Sequence, residues 1–104
     1  MEYKDIEEKY INAKIKSHYW FESALEVKSV LGYDFRTMRG FKNLSLEHQK
    51  LAEKLICSFI NGHGLEAREG IRPTSIKREE ILNGFRVNFK NKPFSYLYDN
   101  GSVG

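Results

Sequence analysis

Residues 85–98 read FRVNFKNKPFSYLY, and how this stretch pairs with itself decides the sheet and the surface it presents. Five of its fourteen residues are aromatic and three are cationic. That combination suits a single-stranded nucleic acid, with rings for bases and cations for phosphates. It equally suits a half-buried β-hairpin. Asn83-Gly84 is a strong two-residue hairpin signal and separates IKREEIL (76–82) from FRVNFK (85–90). Lys90-Asn91-Lys92-Pro93 reads as a second turn, joining FRVNF to FSYLY. Setting Phe89 opposite Phe94 pairs Val87 with Tyr96 and Phe85 with Tyr98. Strand side chains alternate, so all six fall on one face, while Arg86, Asn88, Lys90 and Ser95 fall on the other, with Leu97 the exception. In this register the rings are core and the cations form a solvent-facing basic patch. The alternatives are an exposed stacking platform or a partner-binding patch.

Upstream the pattern weakens. Ile76 and Ile81 are five apart, which fits neither strand alternation nor a helical stripe. Ser75 could instead cap a short helix running to Gly84. GYDFRTMRGFKN (32–43) reads as a connection with room for a short strand, and Arg36, Arg39 and Lys42 give it a local positive excess. NGFRVNF (83–89) partly resembles the RNA-recognition-motif signature. Asn83 stands in place of its basic residue, Arg86 in place of its small one, and one position is missing. The β-α-β-β-α-β order of that fold is also absent, so the resemblance is set aside, and MRGFKN (38–43) departs from it sooner.

SLEHQKLAEKLICSFINGHG (45–64) carries a helix with its punctuation. Ser45 is a good N-cap, Glu47 favours the first turn, and Gly62 can end the helix. Leu51, Ala52, Leu55, Ile56, Phe59 and Ile60 form one apolar stripe. Cys57 falls opposite it and is expected to be partly exposed. His48 falls on the apolar side, where a histidine at the core margin is the plain reading. On this helix His48 and Cys57 point about half a turn apart, too far for a nucleophile–base pair. NGHGLEAREG (61–70) has three glycines but no Gly-Lys-Ser/Thr, and it leaves a helix rather than opening one, so it reads as a cap and turn.

Met1 to Leu31 contains neither Gly nor Pro. Tyr3, Ile6, Tyr10, Ala13, Ser17, Trp20, Ala24, Val27 and Leu31 are spaced alternately by three and four, which places them on one helical stripe. The spacing predicts a helix over 3–31, ended by Gly32 in the left-handed conformation. Such a helix would span about 43 Å. A break at Ser17 is the alternative, and it would bring the element order closer to a winged-helix domain, which the helices-then-hairpin arrangement resembles. The seam could form a homodimer, although Ser17 and two alanines make it a poor zipper. His18 and Glu22 have metal-chelating spacing but no second pair to complete a site.

At 104 residues the chain is one domain, taken as residues 1–98, with 99–104 as a flexible tail. Leu, Ile, Val and Phe make up 28 residues, well above the roughly 20% floor below which disorder is expected. The single cysteine excludes an intrachain disulfide. There is no signal peptide and no apolar run long enough to span a membrane, so a soluble, cytoplasmic protein is expected. The net charge is +3. Residues 1–32 carry −1, whereas 33–54 carry +2 and 66–92 carry +3. The positive excess thus lies away from the N-terminal segment and points to an anionic partner.

The expected fold is α+β, with a long N-terminal helix (possible break included) and a second helix on a small C-terminal antiparallel sheet of two or three strands. The expected function is a non-catalytic module contacting nucleic acid through Arg36, Arg39, Lys42, Arg86, Lys90 and Lys92, which would neutralise phosphates in a salt-sensitive, mostly sequence-independent way. The alternative is a protein-binding regulator or inhibitor acting through the helical seam or the aromatic hairpin face. No acid–base pair, nucleophile set, metal site or cofactor loop is visible. Richness in Lys, Asn, Ile and Tyr fits an AT-rich genome, and the small size would suit a phage or mobile-element protein.

Overall fold

The computed structural model describes residues 20–64 and 67–104. Helices α1 (Ala24–Leu31) and α2 (Leu46–Asn61) precede three strands, β1 (Pro73–Glu79), β2 (Gly84–Phe89) and β3 (Ser95–Tyr98). Short 3-10 turns cover Phe35–Thr37, Phe41–Asn43 and Ala67–Gly70. The fold is α+β, with an antiparallel sheet in the order β1-β2-β3.

The continuous helix expected over 3–31 does not extend through the described residues before α1: residues 20–22 are not helical, and Ser23 has an extended backbone (φ −147°, ψ 158°). Ser23 caps α1 by accepting the Glu26 N–H at 3.2 Å. Residues 3–19, with most of the seam, Ser17 and His18, lie outside the described residues. Tertiary partners override the helical spacing here. The Asn61 side chain accepts from the Phe21 N–H and donates to the Phe21 carbonyl, both at 2.8 Å. Glu53 Oε2 accepts the Ala24 N–H at 2.7 Å, a carboxylate supplied from another helix to one of the orphan donors at a helix start. Gly32 ends α1 as its sequence position suggests, with φ 83° and its N–H on the Lys28 carbonyl.

α2 follows its punctuation. Ser45 Oγ accepts the His48 N–H at 3.1 Å, and Gly62 closes the far end. Ala52, Leu55, Ile56, Phe59 and Ile60 are buried. Cys57, expected to be partly exposed, is only 3% exposed. α2 is covered on two sides, by the sheet along its apolar stripe and by the segment around Phe21 along the stripe that holds Cys57 and Asn61. A residue opposite one apolar face is therefore still interior.

β1 is a strand, with no helix capped at Ser75. Ile76 pairs with Val87, Lys77 with Arg86 and Glu79 with Gly84, and a bulge falls between Pro73 and Ser75. The Asn-Gly signal marks the hairpin, but the turn is longer than two residues. Gly84 already belongs to β2, and residues 80–83 form the loop, with Asn83 at φ 50°.

The β2–β3 register differs from the expected one by a single residue. Gly84 pairs with Tyr98, Phe85 with Leu97, Arg86 with Tyr96 and Val87 with Ser95. One step reverses every side chain of β3. Leu97 turns inward, 2% exposed, to join Ile76, Phe85, Val87 and Phe89 beneath α2. Tyr96 and Tyr98 turn outward. The reason is chemical: the expected register would bury two phenol hydroxyls and expose a leucine, whereas this one buries the leucine and leaves both tyrosines half-buried. Continued, this ladder would set Pro93 opposite Phe89, and proline has no N–H to give, so pairing stops at Ser95.

Both outer edges of the sheet meet other parts of the chain. The Arg39 N–H donates to the Thr74 carbonyl at 3.2 Å, and its carbonyl accepts the Ile76 N–H at 2.9 Å. Gly40 permits this approach: its φ is +91°, and a Cβ there would lie 2.2 Å from the Ile76 carbonyl oxygen. At the other edge, residues 99–104, expected as a tail, fold back along β3. The Tyr96 N–H donates to the Gly104 carbonyl and the Tyr98 N–H to the Ser102 carbonyl, both at 3.0 Å. Among the described residues no helix is long and apolar enough to cross a membrane.

Candidate nucleic-acid interface

The inner face of the sheet is core, and its outer face carries a different chemistry. Strand alternation brings Ser75 and Lys77 of β1, Arg86 and Asn88 of β2, and Tyr96 and Tyr98 of β3 to that outer face. Lys77 is exposed and the others are half-buried. Asn88 donates to Ser75 Oγ at 2.8 Å, tying the two strands. Phe94, just before β3, is 43% exposed.

The rings form a continuous run. Phe94 and Tyr96 meet edge-to-face at 5.4 Å, and Tyr96 and Tyr98 lie 6.3 Å apart with their planes 27° from parallel. Gly84 makes room for the last ring, since a Cβ there would stand 3.2 Å from Tyr98 Cδ1. The Arg86 guanidinium lies 4.0 Å from the Phe94 ring centroid, a close cation–π contact. Aromatics and cations therefore share one surface. The register expected from the sequence places them on opposite faces, and the one-residue step is the whole difference.

Beside this run, toward β1, is a groove of about 400 Å³ lined by Arg39, Asn43, Ser75, Lys77, Arg86 and Asn88, among others. The six cations expected to contact nucleic acid divide around it. Arg39 and Arg86 line it, and Lys42 is exposed in the same 3-10 turn as Asn43. Lys90 is exposed just past the end of β2. Arg36 is engaged elsewhere, in two bonds to Asp34 at 2.9 and 2.8 Å, and this guanidinium holds the Asp34 carboxyl below the usual carboxylate range. Lys92 belongs to the opposite side of the sheet, its Nζ 4.9 Å from the Phe59 ring and 5.6 Å from the Phe89 ring. Sequence reasoning misses Lys77, and it misses Phe94, Tyr96 and Tyr98 as surface residues. The available signal is the one leucine among the β3 tyrosines.

Other candidate groups have structural surroundings. Burial pushes the Cys57 thiol up to about 12, with Glu53 and Glu26 adding to the effect, so it is not a thiolate at neutral pH. His48 packs edge-on to Phe85 with ring centroids 5.9 Å apart. His63 Nδ1 lies 2.8 Å from the Phe59 carbonyl. Among the described residues no three His, Cys, Asp or Glu side chains gather where they could hold a metal ion. Compared with known proteins, the chain matches no family model, no curated protein and no solved structure.

Proposed function

We propose that this protein is a non-catalytic module that binds single-stranded nucleic acid on the outer face of its sheet. The observation that carries the reading is the run Phe94–Tyr96–Tyr98 on the same face as Arg86 and Lys77. Base–aromatic stacking contributes about 1–3 kcal/mol per base and tolerates any sequence, because every base has a flat face. Unpaired bases offer those faces and duplex bases do not, so a single strand is the better ligand. Cations alongside the rings add a salt-sensitive attraction to phosphates.

A fluorescence-anisotropy titration at low salt tests this, using labelled oligothymidylate, oligouridylate and a duplex of equal length. Both single strands should bind more tightly than the duplex, and affinity should fall steeply as salt rises. Tyr96→Ala and Lys77→Ala should weaken binding, and Lys77→Ala, at an exposed position, should leave the melting temperature nearly unchanged. No binding to any of the three at tens of micromolar protein would overturn the proposal. The protein-binding alternative would then lead. Its aromatic hairpin face would have to be the Phe94–Tyr96–Tyr98 run, since Phe85, Val87 and Phe89 are core.

A further inference from the structure

We infer that the groove beside β1 is a phosphate seat, and that the sheet divides its labour: the β1 edge holds the backbone of a single strand while the β3 edge holds its bases. This deepens the proposed function and rests on it. Arg39, Lys77 and Arg86 line one groove, and no acidic side chain among the described residues lines it. Elsewhere the contrast is clear, since Arg36 is paired with Asp34 and Arg78 with Asp99. The neutral groups in the groove, Asn43, Ser75 and Asn88, are hydrogen-bonding ones that suit phosphate oxygens.

Two details make an anion the fitting occupant. Lys77 and Arg86 stand directly opposite each other on neighbouring strands. Like charges in that position are destabilising, and a phosphate between them would reverse the sign of the interaction. Arg86 Nε is buried without a hydrogen-bond partner. A buried donor left unsatisfied is costly, so such a group calls for an explanation. The Arg86 guanidinium carbon lies 4.0 Å from the Phe94 ring centroid, and Arg86 lines the groove, so the residue joins the seat to the aromatic run. The far wall of the groove is fixed, because the backbone of Arg39 is bonded to β1 and Gly40 sits against Ile76. The bases then fall toward Tyr96 and Tyr98, across β2 from the seat.

The test separates the two halves. Anisotropy titrations over about 50–200 mM salt compare an oligothymidylate with an abasic strand of the same length. Arg39→Ala combined with Lys77→Ala, both exposed positions, should lower the magnitude of the log-affinity against log-salt slope by about 1.4, near 0.7 for each phosphate no longer neutralised. The affinity ratio of oligothymidylate to abasic strand should stay the same. Tyr96→Ala should collapse that ratio toward one and leave the slope unchanged. Thermal melts of both variants check that the fold is intact. If the double variant binds oligothymidylate with the wild-type slope, the groove is not the seat, although the nucleic-acid reading stands. If each variant lowers slope and ratio alike, the division across the sheet is wrong. If the wild-type protein binds neither strand, the reading beneath the inference fails with it.

Discussion

Phe85 lies opposite Leu97 in the β2–β3 ladder, one residue away from Tyr98. Leu97→Ala should therefore cost about 2–5 kcal/mol, the range for emptying a leucine site in a packed core. Tyr96→Ala on the outer face should cost less than about 1 kcal/mol. Urea denaturation of the two variants measures this directly. A larger loss at Tyr96 than at Leu97 would restore the register with Phe85 opposite Tyr98.

Asn61→Ala should be severe for an amide. It removes the side chain that bonds both backbone groups of Phe21, a residue 1% exposed. At about 1–3 kcal/mol for each of the two unsatisfied groups, a loss of about 2–6 kcal/mol is expected. Asn61→Asp should not rescue it, because a carboxylate can accept the Phe21 N–H but has no donor for the Phe21 carbonyl. Equal stability of the Asp variant and wild type would refute the reciprocal pairing.

Gly40→Ala and Gly32→Ala separate crowding from strain. Both glycines have positive φ, but nothing lies within 4 Å of a Cβ at Gly32, whereas one at Gly40 meets the Ile76 carbonyl at 2.2 Å. Gly32→Ala should cost about 1–2 kcal/mol, the left-handed penalty alone. Gly40→Ala should cost clearly more and release residues 38–40 from β1, which faster amide exchange at Ile76 would register.

Acid should weaken the fold through two pairs. Arg36 holds the Asp34 carboxyl low, and Arg78, bonded to Asp99 at 2.6 and 3.0 Å, does the same there. A folded pKa below the unfolded value of about 3.9 adds stability that is present above that value and is lost as pH falls through the folded pKa. Urea midpoints should thus be level from neutral pH down to about pH 5, then decline below about pH 4. Asp34→Asn and Asp99→Asn should each flatten that decline. An unchanged acid limb in both would dismiss the two pairs as its cause.

Cys57 should be silent to a thiol reagent such as Ellman's in the native protein at pH 8, because it is buried and its thiol lies high. One equivalent should react in denaturant. Prompt reaction without denaturant would place Cys57 at the surface, as its helical phase alone suggests.

These outcomes follow the boundary of what is readable from the chain. The Ser45 cap, the Gly32 stop and the apolar stripe of α2 are legible because each feature and its partners lie within a few residues. The start of α1 is not, because the groups that hold Phe21 and Ala24 come from Asn61 and Glu53, 40 and 29 positions away. Cys57 is misplaced by its helical phase for the same reason: one helix can have two covered faces, and periodicity reveals only the more apolar one. In the candidate site Arg39 and Arg86 are legible as cations. Lys77 is hidden by the bulge near Thr74 and by Arg78, which faces inward with its guanidinium 4.9 Å from the Phe85 ring. The tyrosine face turns on a single step of register, for which Leu97 between two tyrosines is the one local sign.

The way the chain lies along both borders of its sheet limits how anything else can join it. An incoming extended peptide gains affinity from the free main-chain groups of a border strand. Here the Tyr96 and Tyr98 amides already have partners in Gly104 and Ser102, and the Thr74 carbonyl and Ile76 amide have theirs in Arg39. Strand addition and fibril templating are blocked along all of β3 and at the bulged end of β1. A partner meeting this sheet along those borders would have to use side chains on the broad face, where single substitutions leave the backbone scaffold untouched.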